Sequence, residues 1–259
     1  LISIATASET SGDTSTAAGR HEAYRQLVQL LEGAHAHKEA WEKHARERKE
    51  YEARKTAGEK NLKEPPKPAR DPAKDVVARA LDGVDSLPVR LEAHAADSIG
   101  YALRLAADLK LRLVLEGLTE GFECGEALSR SKAALVVGPL LRYGTATAET
   151  LRHTTSCAAA LAKAGVGVLA IGSFGKDAGA SRFLAEAAGT AASGGLPPER
   201  ALEAITIGAA RALGLDGEIG SLKKGKRADF LVLSGEPFDA RSVVERTFVD
   251  GVAVHGGGP

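Results

Sequence analysis

Apolar and polar positions divide the chain into two unlike parts. In the first, Tyr24, Leu27, Val28, Leu31 and Ala34 recur at three- and four-residue spacing and predict a helix over Glu22–Lys60 with one apolar stripe. Beyond Trp41 the stripe fades. Pairs of opposite charge four residues apart (Glu42/Arg46, Lys43/Glu47, Arg46/Glu50, Arg48/Glu52) replace it, which predicts a solvated helix face rather than a nucleic-acid-binding arm. Residues 1–20, rich in Ser, Thr, Ala and Gly, have no period beyond Leu1–Ala5 and read as a strand end and a loop. The proline-rich run Glu64–Pro72 stops a helix and reads as an exposed linker.

In the second part, the short apolar runs Pro88–Leu91, Leu111–Leu115, Ala134–Val137 and Val166–Ile171 each precede a helical segment: Ser98–Leu109, Thr119–Ser131, Glu149–Lys163 and Ser181–Ala192. Strands apolar on both faces that alternate with helices predict a parallel sheet covered by helices. Gly165, the pair Gly194-Gly195, and Gly214 stand where helices should stop, and Pro197-Pro198 opens a further helix, Glu199–Leu213. Ile219–Leu222, Ala228–Leu233 and Val243–Val254 read as short strands. The pattern amounts to about half a (β/α)₈ barrel followed by a small β segment. It divides into residues 1–72 (strand end, charged helix and linker), 73–215 (half barrel) and 216–259 (β segment).

Composition narrows the function classes. The 34 basic and 34 acidic residues of the 259 cancel, so no whole-molecule field draws nucleic acid or an acidic membrane. No apolar run reaches the roughly 18 residues of a membrane helix. Cys124 and Cys157 lie in unlike contexts, which argues against a disulfide and favours a reducing, cytoplasmic setting. A chain that begins with Leu1 and contains no Met is expected to be part of a longer polypeptide, or one from which modified methionines have been left out.

The segment Leu196–Asp216, followed by Glu218-Ile-Gly-Ser-Leu-Lys-Lys-Gly-Lys-Arg-Ala-Asp-Phe-Leu-Val-Leu233, carries the most specific signal. It resembles the end of metal-dependent amidohydrolases: a helix, a "G-S-L-x-x-G-K-x-A-D" turn, and strands of a small β-sandwich built from both chain termini. Pro88–Ile99 and Leu113–Glu120 resemble strands five and six of the imidazolonepropionase- and prolidase-like branch, Val136–Leu141 strand seven and Ala164–Ser173 strand eight. The resemblance implies an α/β fold, an amidohydrolase-type (β/α)₈ barrel contributing strands five to eight, plus part of the sandwich. Strands one to four would precede Leu1, and strands five and eight would be left with unpaired edges.

The family binds one or two divalent metals, such as zinc, at the C-terminal mouth of the barrel, where the metal activates water for hydrolysis. The resemblance puts the strand-five ligand position on Glu92, the strand-six position on Gly117 and the strand-eight Asp, which serves as the base, on Phe174. Gly has no ligand atom and Phe cannot take a proton, so no catalytic metal is expected. His94, Asp97, Glu116 and Glu120 lie near the same mouth and, with Glu92, are the binding-site candidates. His94 reads as a hydrogen-bonded core residue or as a functional one; the other three suit capping or supporting roles. His35-Ala-His37 matches the family's His-x-His, but residues two apart on a helix point about 200° away from each other and read as surface. Cys124 has no cation nearby in sequence to activate it. The Gly172–Gly179 loop reads as a mobile rim loop, with an anion cradle beside Lys176 as the less plain account.

Two functions follow from the resemblance. One is a protein without its metal centre, acting as a binding or assembly subunit, with a small-molecule ligand at the mouth and a homo- or hetero-oligomeric state. The other is a metal-dependent hydrolase of C–N bonds, whose ligands come from the missing N-terminal half together with Glu92, His94 or Glu120.

Overall fold

Five parallel strands in sequential order form the main sheet of the computed structural model, which describes residues 2–4, 16–81, 87–141, 150–174 and 178–256. They are β1 (Ile2–Ile4), β2 (Val89–Ala93), β3 (Leu113–Gly117), β4 (Ala134–Val137) and β5 (Val168–Ile171). The sequence predicts four of these. The fifth is the strand end read at Leu1–Ala5, and the correction is to the expected unpaired edge: Ile2–Ile4 pairs in parallel with Val89–Leu91. Three residues are too few to display a period, so the pairing was not visible from the pattern.

The period of two gives the sheet two different faces. Val89, Leu91, Ala93, Leu113, Leu115, Leu135, Val137, Leu169 and Ile171 point to one face and join a single cluster with the helices that follow the strands. These are α3 (Ala96–Asp108), α4 (Gly125–Ser131), α5 (Cys157–Lys163), α6 (Leu184–Ser193) and α7 (Pro198–Ile205). On the other face Val114 and Ala170, with Ala134, Val136 and Val168, meet Ala209 and Ala212 of α8 (Ile207–Leu213).

Helix α1 (Ala17–Thr56) begins before the expected Glu22 and ends before Lys60. It docks by its first half, with Leu27, Leu31 and Ala34 buried, as the stripe predicts. Tyr24 stacks on Tyr101 of α3 with ring centroids 4.7 Å apart. The linker is less exposed than expected. Leu62, Pro65 and Pro68 are half-buried, a spacing of three that matches a polyproline helix lying on one side, and Lys67 stands 5.9 Å from the Trp41 ring centroid. Pro72 does not end the linker but opens α2 (Pro72–Ala78), because its missing N–H is no loss at the first helical position and Asp71 caps the next amides. His37 is not a surface residue: its ring is 10% exposed and bonds Asp75 of α2 at 2.9 Å, whereas His35 faces Glu39 on the exposed side.

Several boundaries depart from expectation for local reasons. The predicted helix Thr119–Ser131 opens with a 3₁₀ turn, Gly121–Glu123, before α4. The one over Glu149–Lys163 is helical only from Cys157, and Glu149 lies outside the described residues. Glu199–Leu213 is two helices, broken at Thr206 (φ −122°, ψ −100°), whose hydroxyl donates to Leu202 O at 2.7 Å. Ile219–Leu222 is a turn, not a strand. Val243–Val254 is a hairpin, β7 (Val244–Val249) and β8 (Val252–His255), turning on Asp250-Gly251, both at positive φ as a two-residue hairpin loop requires. With β6 (Phe230–Leu233) it forms a three-stranded antiparallel sheet in which Phe230 stacks on Phe248.

The signature turn, which follows α8, is a clasp pinned to itself and to this sheet. Lys226 Nζ donates to the carbonyls of Asp216 and Ile219, Arg227 forks onto Asp250 at 2.7 and 2.9 Å, and the Asp229 carboxylate accepts from Asp250 N at 2.8 Å. Gly208 lets α8 approach the sheet, since a Cβ there would collide with the Leu169 carbonyl oxygen of β5. Gly208→Ala is expected to lift α8 and cost about 1–3 kcal/mol, as overpacking does, measured as a lower urea midpoint at unchanged slope.

Candidate functional site at the strand ends

The C-terminal ends of the parallel strands are tied together step by step. Leu118 N donates to Ala93 O and Glu120 N to His94 O, at 2.8 and 2.9 Å, while Gly138 N reaches Gly117 O and Gly172 N reaches Val137 O. This ladder continues the strand register into the loops and sets His94 beside Thr119. Within the strands, Arg90, Glu92 and Glu116 share the face opposite α3, because Glu92 is the register partner of Glu116 and Arg90 lies two residues earlier.

His94 is 6% exposed and bonded at both ring nitrogens. Its Nε2 is 3.0 Å from Glu92 Oε1 and its Nδ1 is 2.8 Å from Thr119 Oγ1. An ionised carboxylate only accepts, so Nε2 carries a proton toward Glu92, and in the neutral ring the Thr119 hydroxyl donates to Nδ1. The bond from His94 holds the Glu92 carboxyl below its ordinary range, against the opposite pull of burial. Arg90 pairs with Glu116, and burial draws its guanidinium down from the usual value.

The ring of His94 fills the space above Gly117. A Cβ on Gly117 would stand 2.8 Å from His94 Cε1, and the backbone there has φ +92°, which side-chain-bearing residues rarely adopt. At the end of β5, the Phe174 ring lies over Gly138 and Gly172, where an added Cβ would overlap it. Its centroid is 6.3 Å from that of His94, edge to face.

The remaining candidates are engaged in holding the fold. Arg20 forks onto Asp97 through Nε and Nη2 at 2.9 and 2.8 Å, tying α1 to α3. Burial alone would raise the Asp97 carboxyl, but the bonds from Arg20 and Ser98 together outweigh it and hold it below its ordinary value. Its contribution to stability is therefore complete above the unfolded-state range, near about pH 4, and is lost as pH falls through the lowered value. Glu120 Oε2 accepts from Ala96 N at 2.9 Å, capping α3, and Oε1 lies 3.4 Å from Arg152. Cys124 is half-buried, and burial with Glu123 and Glu120 pushes its thiol up; burial takes Cys157 up to about 11. Both disfavour the thiolate. Lys176, of the loop after β5, lies outside the described residues.

Sequence reasoning missed Arg90 and Thr119. The signal for Arg90 was available, since Arg90, Glu92 and His94 alternate on one face. Thr119 is set beside His94 by the loop ladder, which no spacing announces.

The donor set does not fit the divalent ion that the resemblance implies. Gly117 offers no atom, Phe174 presents a ring, and Glu92 and His94 bond each other. Among the described residues no three His, Cys, Asp or Glu side chains converge as a cation site.

Comparison with known proteins agrees with the motifs. Imidazolonepropionase from Shewanella frigidimarina is 57% identical over 35 residues, 14% of this chain and 8% of that protein. The enzyme of the same name from Symbiobacterium thermophilum is 55% identical over 40 residues, 15% and 9% of the two chains. The crystal structure of an amidohydrolase from Thermotoga maritima superposes with a TM-score of 0.68 at 30% identity, covering 97% of this chain and 61% of that one. This chain thus spans less than two thirds of that relative. The sequence profile of the Amidohydrolase family matches residues 127–256, half of the chain, including the α8 helix, the clasp and the β5 end that carries Phe174. The chain belongs to the amidohydrolase family.

Proposed function

We propose that the chain is part of an amidohydrolase-family protein whose parallel strands close into a (β/α)₈ barrel with further strands. Its mouth serves as a metal-free binding site, in a non-catalytic binding or assembly subunit. One observation carries this: the His94 ring occupies the space that a side chain at Gly117 would need. The Phe174 ring, lying over the glycines at the ends of β4 and β5, supports the same conclusion. A small molecule at such a mouth would meet the Glu92–His94 pair and the Phe174 edge instead of an activated water.

Two measurements test this. Full-length protein, purified after growth with added zinc and analysed by mass spectrometry for metals, is expected to carry far less than one equivalent per chain. Stoichiometric zinc would overturn the proposal and favour a metal-dependent hydrolase of C–N bonds. The second measurement concerns partners. The small antiparallel sheet exposes Leu231, Val249, Val252 and Val254, with Val252 65% exposed, and such a patch on a sheet calls for a cover. Residues 1–259 expressed alone are therefore expected to associate or to elute above monomer mass in light scattering. A cooperatively melting monomer would show that the sheet needs neither more of the protein nor another subunit.

A further inference from the structure

The strand ends contain a charge problem of their own. The β2–β3 register sets Glu92 directly beside Glu116 on the same face, and two carboxylates at paired positions of a sheet repel. Glu116 is largely withdrawn from bulk water, its side chain 17% exposed, and Glu92 partly so, at 39%. Each is turned to a different partner: Glu92 to the His94 ring, Glu116 back down the sheet to Arg90, which belongs to the preceding pair of the same face. The Arg90 side chain is itself only 22% exposed, so its charge is held within the sheet face rather than in solvent.

We propose that Arg90 is the built-in cation of this site: its guanidinium neutralises Glu116 and draws it away from Glu92, leaving the Glu92–His94–Thr119 chain intact without an ion. Arg90 is a positioning residue, acting on His94 through the two carboxylates. The inference rests on the metal-free assignment of the strand ends. The physical expectation is that removing one partner of a half-buried pair strands the other charge, whereas removing both relieves the penalty.

The test is a double-mutant cycle in the full-length protein, read as the thermal midpoint at neutral pH. Arg90→Met keeps most of the apolar stem and removes the charge, and a fall in Tm of roughly 5–10 °C is expected. Adding Glu116→Gln, which supplies no volume to replace the guanidinium, is expected to recover at least half of that fall. Arg90→Lys is expected to recover part of it by charge alone. If Arg90→Met does not fold, the double variant should fold and Arg90→Lys should remain measurable. Equal destabilisation of Arg90→Met and the double variant would mean that Arg90 acts only through packing, and would overturn the proposal. So would an Arg90→Met protein as stable as wild type. Zinc in the wild type combined with strong Arg90–Glu116 coupling would overturn the metal-free function while leaving the counter-ion role standing.

Discussion

The parallel register between β2 and β3 is the constraint from which the strand-end chemistry follows. It opposes Ala93 to Gly117 and Glu92 to Glu116, and the loop amides extend it so that Glu120 N meets His94 O. His94 is thereby held next to Thr119 and over a glycine. A shift of one residue would send Arg90, Glu92 and Glu116 into the apolar face against α3, at a desolvation cost no partner there could offset. The apolar residues of that face, Val89, Leu91, Leu113 and Leu115, make the register cooperative with the core.

A second constraint is the close approach of α8. The sheet face opposite the main core is apolar at Val114 of β3 and along β4 and β5, where Ala134, Val136, Val168 and Ala170 stand, and α8 covers that side through Gly208, Ala209 and Ala212. Small residues are required because the helix presses on backbone rather than on side-chain tips. The signature turn just beyond that helix is pinned by Lys226 on the carbonyls of Asp216 and Ile219. A motif that carries family resemblance thus performs structural work here, tying the turn after α8 to the small sheet through Arg227 and Asp229 on Asp250.

On the polar side of the main sheet, aromatic rings take up the space beside the glycines at the strand ends. Glycine at position 117 and phenylalanine at 174 do not leave a void: an imidazole fills the first space, and a phenyl ring covers the glycines beside the second. The imidazole has both nitrogens bonded, and the carboxylate beside it is held ionised by that bond. His94 and Glu92 thus find hydrogen-bond partners within the chain, as buried polar groups require.

Much of this was legible in the residues themselves. Short apolar runs, each ahead of a helical segment, marked four of the five parallel strands, the i, i+3, i+4 stripe marked the docked half of α1, and glycines marked the helix ends, because these signals are local. The amino acids at positions 117 and 174 likewise needed no coordinates, since Gly and Phe lack a donor atom whatever the fold. What the tertiary structure alone decided depends on groups far apart in the chain. Ile2–Ile4 pairs with a strand more than eighty residues later, the His94 ring turns over Gly117, and Arg90 reaches Glu116 across the register. The break at Thr206 and the docking of the proline-rich run beside Trp41 belong with these. None has a period, because each is settled by which backbone or side chain arrives opposite it after folding, and side-chain alternation carries no information about partners on another strand.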